Sequence, residues 1–481
     1  MKIPFTIHPS LYFALGIVMM KSVSLLMLPI VTRYLSPAEF GRLELLLSIA
    51  DFASMLAGFA LADALYRFAG LSKDAEQEKN IGKTVFTMAC GIGLICLSVG
   101  LFLVPLALPL LGEGISLLDL QLVVFLFAVD GCLVVPLAWM KMKESAFTFF
   151  VLTTGKAICQ AIISWQLLKA DYGITSMLLG GAVSSLLLVV ILIKIQVSQT
   201  GLGINTKLLK QILVYCSPLV ISALAAFAML SADRWVINLV TTAESLGLYA
   251  VAKKLAMIVI ILMQPFGLWW SARRFKELYG PDGKTSVARF TSLGIALVLC
   301  FSTCVCITSP IIIELLIDPS YAGATIYLAP LVLFFAIKQI AELANLGCFV
   351  GRTTWSVMAI DLLTAAVSIV GLYFLSQQWL INGVIAALLI AQCVRLAAFY
   401  IVSQRILYLE YAKGKLLMLA ALCLLITFVS LQVTNLGQHF VMSIVGGLLM
   451  AAYLQISGLF SFMPLLKRSL AVIRPHRLLS K

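Results

Sequence analysis

Residues 11–35 read LYFALGIVMMKSVSLLMLPIVTRYL. The only ionised side chain before Arg33 is Lys21, close to the middle of the run. Wound as an α-helix, these 25 residues reach roughly 37 Å, enough to cross a hydrocarbon layer of about 30 Å. The run is too long for the apolar core of a signal peptide, and no small-residue cleavage site follows it. It therefore reads as a permanent first span.

The same pattern recurs along all 481 residues, of which 62% are hydrophobic and 11% charged, with a mean hydropathy of +1.07. A soluble domain carries about 25% charged residues. Apolar stretches of this length are helices rather than barrel strands, because a helix satisfies its own backbone hydrogen bonds inside lipid. The expected fold class is all-α, a polytopic membrane protein with about 14 transmembrane helices. The spans fall near 11–35, 41–69, 84–111, 118–140, 146–168, 173–195, 210–239, 244–270, 287–316, 326–350, 354–375, 380–407, 415–434 and 440–460. Helix-stopping residues mark several joints: Ser36-Pro37, Gly112-Glu113-Gly114, Gly280-Pro281-Asp282-Gly283, Asp318-Pro319 and Asn435-Leu436-Gly437. Pro29, Pro105, Pro136, Pro218, Pro265 and Pro330 lie inside spans, where a kink is tolerated.

The net charge of +13 would point to nucleic acid in a soluble protein. Here its placement explains it as topology, and no nucleic-acid partner is expected. With the N-terminus in the cytoplasm, the cytoplasmic joints hold Lys73, Lys79, Lys83, Lys141, Lys143, Lys207, Lys210, Arg273, Arg274, Lys276, Lys284, Arg352, Arg405, Lys413 and Lys415. A basic tail with Lys467, Arg468, Arg474, Arg477 and Lys481 follows. The opposite side has Arg33, Arg42 and Lys169. This asymmetry obeys the positive-inside rule with both termini cytoplasmic. The eleven cysteines are scattered through spans without a Cys-x-x-Cys pair, and the three histidines are terminal or in a loop (His8, His439, His476). Neither set predicts a metal or a cofactor. The chain has no phosphate-binding Gly-x-x-x-x-Gly-Lys-Ser/Thr motif, and its external joints have no acid–base cluster, so neither an ATPase nor another enzyme is expected.

Two joints resemble each other. Tyr34-Leu35-Ser36-Pro37-Ala38-Glu39-Phe40-Gly41 and Thr241-Thr242-Ala243-Glu244-Ser245-Leu246-Gly247-Leu248-Tyr249 share a hydroxyl residue, Ala-Glu, a large apolar residue and Gly, with one residue of slippage. The offset of about 205 residues equals six spans, the mark of a duplicated six-helix plan. The expected organisation is an N-terminal six-helix lobe at 1–205, a C-terminal six-helix lobe at 206–410, and two extra helices with a basic tail at 411–481.

The run from Leu28 through Pro29-Ile30-Val31-Thr32-Arg33 into that first joint resembles the first-loop signature of polysaccharide-export flippases. So does Asp233-Arg234-Trp235 followed by Leu246-Gly247-Leu248-Tyr249-Ala250-Val251-Ala252-Lys253-Lys254-Leu255. The whole chain resembles the O-antigen-type lipid-linked oligosaccharide flippases of the multidrug/oligosaccharidyl-lipid/polysaccharide exporter superfamily. The resemblance implies alternating access driven by an ion gradient. It also implies an undecaprenyl-diphosphate-linked oligosaccharide as cargo in a bacterial inner membrane. Membrane lipids, and a polymerase and glycosyltransferases of the same pathway, are the partners it implies.

The charges inside the spans carry the chemistry. Lys21, Lys156, Lys253, Lys254, Lys338 and Arg395 sit near mid-depth, and Arg234 lies nearer the outer face, where it can snorkel. A charge at the bilayer centre costs about 2.5–3.5 kcal/mol on insertion scales. Acids at this depth are fewer: Asp51, Asp130, Glu342 and Asp361. The seven bases are the expected substrate-binding set, since ammonium and guanidinium groups both suit phosphate. The acids Asp51, Asp63, Asp130, Asp233, Glu342 and Asp361, with Arg67, are the expected ion-coupling or gating set. Spacing pairs Lys338 with Glu342 and Asp63 with Arg67, four residues apart on a helix, and leaves Asp233 to a neighbouring helix. Glu44, three residues into span 2, is expected at the outer interface. Trp139, Trp165, Trp235, Trp269, Trp270 and Tyr249 are placed to stack on sugar faces or to anchor at the interface. The excess of bases favours an anionic cargo in a cationic cavity. A multidrug exporter of organic cations, the alternative on this plan, calls for an excess of acids. Structural ion pairs between helices are the competing reading of the same residues.

Overall fold

The computed structural model describes residues 9–72, 74–111, 114–350, 355–433 and 435–459. Lys73, Gly112, Glu113, Arg352, His8 and the basic tail, which includes His476, lie outside them. Among the described residues the chain is helical, with no strand. The helices are α1 (Pro9–Tyr34), α2 (Pro37–Gly58), α3 (Leu61–Gly70), α4 (Ala75–Ala107), α5 (Leu117–Met142), α6 (Ala146–Lys169), α7 (Thr175–Thr200), α8 (Thr206–Leu230) and α9 (Ala232–Val240). They continue as α10 (Ala243–Ala256), α11 (Ile258–Leu278), α12 (Gly283–Leu316), α13 (Thr325–Ala344), α14 (Leu346–Val350), α15 (Trp355–Ile406), α16 (Lys413–Leu431) and α17 (Leu436–Ile456).

Among the described residues, thirteen helical stretches are long and apolar enough to cross a membrane. One of them, α15, has 52 residues. A straight helix of that length measures roughly 78 Å, far beyond a bilayer core. It turns back at Leu380 (φ 49°, ψ −127°). A Cβ on Gly371 would lie 3.0 Å from the Ala387 Cβ, although on a straight helix two residues so far apart in sequence stand roughly 24 Å apart. The stretch is two spans, which gives the fourteen expected from hydropathy. Large apolar side chains cover outer faces, such as Phe102 and Leu106 of α4, Phe428 of α16 and Phe440 of α17. These are lipid-facing surfaces.

Four spans expected to be continuous are interrupted: α2/α3 at Phe59-Ala60, α8/α9 at Ser231, α10/α11 at Met257 and α13/α14 at Asn345. None of these residues is Gly or Pro, and Pro265 sits inside α11 without ending it. Phe59 and Ala60 both adopt left-handed backbone (φ 44° and 52°). That conformation costs about 1–2 kcal/mol per residue and holds only where packing imposes it. Leu61, Ala64 and Leu65 of α3 are fully buried against Val85, Phe86 and Trp139, among others.

By internal contacts the chain forms two compact units. The first takes the described residues of Met1–Lys254, Leu316–Tyr327 and Asp361–Ala391, and the second those of Leu255–Leu315, Leu328–Ile360 and Gln392–Lys481. In the first, α1 packs on α6, α4 on α5, α6 on α7, and α5 also touches α2 and α7. In the second, α16 and α17 pair and bury Leu419, Cys423, Ile426 and Met450 with Ala296 and Ile307 of α12.

The repeated joints meet inside the first unit. Ser36 starts α2 with a capping box: its side chain accepts from the Glu39 N–H, and the Glu39 carboxylate accepts from the Ser36 N–H at 2.8 Å. Thr242 starts α10 by accepting from the Ser245 N–H at 3.3 Å. The two helix starts then cross at their glycines. A Cβ on Gly41 would overlap the Ala243 carbonyl, and one on Gly247 would overlap the Pro37 carbonyl. Position 37 faces 247 as 243 faces 41, a two-fold relation within one chain. The equivalence Gly41/Gly247 sets the offset at 206, so the Ala-Glu alignment slips by one residue. Gly41→Ala or Gly247→Ala forces these helices apart, and a loss of about 1–3 kcal/mol is expected. A thermal melt of the purified protein in detergent measures it.

Candidate functional site: a buried ion-pair network

The glycine crossing sets α10 against α2, and the break at Ser231 turns α9 towards both. Asp233 and Arg234 are neighbours in the first turn of α9, so their side chains leave the helix roughly 100° apart. Arg234 reaches α2: its Nη2 lies 3.3 Å from Glu44 Oε2, and its Nη1 lies 4.0 Å from Asp51 Oδ2. Lys254 of α10 reaches the other oxygen of Glu44, with Nζ 2.6 Å from Oε1. Asp233 turns to α10 and takes Lys253 Nζ at 2.5 Å. The Tyr249 hydroxyl, one turn earlier on α10, donates to the same Asp233 oxygen. Glu44, Asp233, Lys253 and Tyr249 are almost wholly buried (1%, 0%, 4% and 0% exposed). Trp235 completes the wall. Its indole N–H donates to Ser48 Oγ at 2.8 Å, and its ring packs against Phe52 and Phe227 at 5.1 and 5.2 Å.

A second pair lies on α5 and α6. Lys156 Nζ is 3.3 Å from Asp130 Oδ1, and the Ser185 hydroxyl of α7 donates to that oxygen at 3.4 Å. The second unit has its own pairs: Lys338 Nζ lies 2.8 Å from Glu342 Oε1 on the same helix, and Arg395 Nη1 lies 3.9 Å from that atom. Lys21 and Asp361 also engage neighbours and are not free charges. Among the described residues no three of His, Cys, Asp and Glu gather as metal ligands.

The structure thus brings together Arg234, Lys253, Lys254, Asp51 and Asp233, and pairs Lys156 with Asp130 and Lys338 and Arg395 with Glu342. Four expectations are corrected. Glu44 is at the centre of the network rather than at the interface. Arg234 is bound to it and does not snorkel. Asp63 and Arg67 do not pair; the Arg67 guanidinium lies over the Tyr215 ring at 4.5 Å, an attraction that needs no acid. The local surplus of cation also shrinks: Arg234, Lys253 and Lys254 face Glu44, Asp51 and Asp233, a neutral set. Nε of Arg234 and Oδ1 of Asp233 are buried without a hydrogen-bond partner. Each is an unused bonding position inside the network.

Residues 30–265 match a protein family described as "Polysaccharide biosynthesis protein". No curated protein sequence is significantly similar to the chain. Among solved structures, "Lipid II flippase MurJ, inward closed conformation" superposes with a TM-score of 0.73 at 14% identity, covering 94% of this chain and 100% of that one. "Inward-facing conformation of a multidrug resistance MATE family transporter of the MOP superfamily" gives 0.59 at 12% identity, over 87% and 98%. The Vibrio cholerae MATE transporter VcmN gives 0.55 at 13% identity, over 82% and 95%. At such identities the structures establish the fold, that of a multi-pass membrane protein of the flippase and MATE type. The sequence match spans just under half of the chain, and the solved structures share its fold over most of its length.

Proposed function

We propose that the chain is a flippase that carries an undecaprenyl-diphosphate-linked oligosaccharide, the repeat unit of an O-antigen-type polysaccharide, across a bacterial inner membrane by alternating access. The basic joints support a cytoplasmic position for both termini. The observation that carries this reading is the pair of partly buried cations, Arg234 and Lys254, that share the single buried carboxylate of Glu44, with Arg234 Nε still unused.

Paired cations bind phosphate by exchange. Removing one partner of a buried ion pair without replacement costs about 3–5 kcal/mol. A diphosphate that replaces Glu44 on Lys254 and Arg234 avoids that cost, and the guanidinium fork offers it two parallel donors. Glu44 must then take a proton or a cation. Release of the cargo on the far side lets Glu44 return to its partners. Ion coupling follows from this exchange, with Asp51, beside the same guanidinium, as the acid open to water: its side chain is 69% exposed.

That exposure also supports the second reading. Asp51, Asp130 and Glu342 are more exposed than their basic partners (69%, 40% and 43% against 13%, 22% and 16%). A chamber that presents acids suits an organic cation, as in an exporter. Reconstitution separates the two readings. Liposomes receive a radiolabelled lipid-diphosphate saccharide, and an external enzyme reports its arrival. The flippase reading expects translocation that Lys254→Gln reduces at least tenfold. Equal translocation by that variant, or uptake of cations with no lipid movement, overturns it.

A further inference from the structure

The second unit holds a groove of about 510 Å³ that the ion pairs do not touch. Its walls come from α12, α13, α15 and α16, with Ile340, Leu396, Leu416 and Ala420 typical of an almost wholly apolar lining. The volume lies within the range of small-ligand sites, about 300–1,000 Å³. Polar character is confined to one end, where Tyr411 and Lys413 stand beside Tyr400. Tyr411 is only 9% exposed, and its hydroxyl is buried without a hydrogen-bond partner. The Lys413 ammonium lies over the Tyr400 ring at 5.6 Å, and among the described residues no carboxylate lies within ion-pair distance of it. Glu410, the acid of the same loop, is exposed.

This end is held in place. The Gln404 side chain clamps Leu409 twice, accepting from its N–H at 2.8 Å and donating to its carbonyl at 3.0 Å. The Ala412 N–H donates to Ser292 Oγ at 3.2 Å. An exposed ammonium and a buried hydroxyl beside an apolar groove match one amphipathic anion: an acyl chain with a phosphate at its end. We propose that the groove holds one chain of an anionic phospholipid, with the phosphate on Lys413 and the lipid's ester and phosphate oxygens serving as the acceptors that the tyrosine end lacks. The lipid is a resident of the protein and is distinct from any cargo.

Native mass spectrometry of the delipidated full chain tests this with phosphatidylglycerol, phosphatidylcholine and undecaprenyl phosphate as probes. Phosphatidylglycerol is expected to be retained about fivefold better than phosphatidylcholine, the preference one lysine near the surface confers. Lys413→Gln removes the preference, and Ala420→Trp, which fills the groove, lowers retention of both phospholipids. A melt in neutral detergent checks that each variant folds, and Lys413→Gln alone decides if the tryptophan variant does not. The proposal is overturned if the wild type shows no headgroup preference, if Lys413→Gln keeps it, or if undecaprenyl phosphate displaces phosphatidylglycerol at equal concentration. That last result would give the groove to the cargo.

Discussion

Reconstituted protein with Glu44→Gln is expected to translocate a lipid-diphosphate saccharide about a hundredfold more slowly than the unaltered chain while still binding it. Glu44 alone holds both Lys254, at 2.6 Å, and Arg234, at 3.3 Å. Glutamine keeps the shape and loses the charge. Incoming phosphate then meets no competitor, so binding persists. Release suffers, because Lys254 loses its carboxylate and Arg234 keeps Asp51 alone, at 4.0 Å. Two charge-assisted hydrogen bonds at about 1.5 kcal/mol each amount to about 3 kcal/mol, and about 1.4 kcal/mol is a factor of ten. Lys254→Gln should behave differently: it removes a phosphate ligand, so binding and translocation fall together. Arg234→Lys keeps the charge and loses the fork, which places it between the two. Filter binding and the liposome assay on the same preparations separate these effects. Wild-type translocation by Glu44→Gln refutes the exchange mechanism.

The misplacement of Glu44 shows where sequence reading stops. Measured from the start of the apolar run at Gly41, Glu44 falls at the water boundary. The helix begins at Pro37 instead, and its first turns are covered by α10 at the glycine crossing. The bases were legible, because a lysine within an apolar run has few bland explanations. Their partners were not. Glu44 meets Arg234 and Lys254 from about two hundred residues away, and no local spacing encodes such a pair. Where spacing did encode a pair, it was right for Lys338 with Glu342 and wrong for Asp63 with Arg67, because Tyr215 offered the guanidinium a ring.

The passes through the membrane were legible from hydropathy, including the reversal near Leu380, where the backbone leaves the helical conformation (φ 49°, ψ −127°). The four helix breaks were not. The residues at the breaks, Phe59-Ala60, Ser231, Met257 and Asn345, are neither Gly nor Pro, so no local signal marks them. One break matters for chemistry. By starting a new helix after Ser231, it sends Asp233 to α10 and Arg234 to α2, which a continuous span would not do at this depth.

Asp233 supplies the largest expected effect on stability. Lys253→Met leaves its carboxylate, 0% exposed, without the ammonium at 2.5 Å. Breaking a buried pair in this way costs about 3–5 kcal/mol, a large share of the roughly 5–15 kcal/mol that holds a protein folded. Tyr249→Phe removes one hydrogen bond to the same carboxylate and should cost about 1.5–3 kcal/mol. The double change Lys253→Met with Asp233→Asn removes both charges and is expected to recover most of the loss, since a buried pair contributes little over a neutral replacement. A thermal double-mutant cycle reads the coupling directly. The same variant divides the labour between adjacent lysines. Lys253 is 5% exposed in its side chain and Lys254 27%, so the first is placed to hold α9 against α10 and the second to meet the cargo. The refolded double variant is therefore expected to translocate at no less than half the normal rate. Restored melting with abolished translocation would instead put Lys253 in the path of the phosphate.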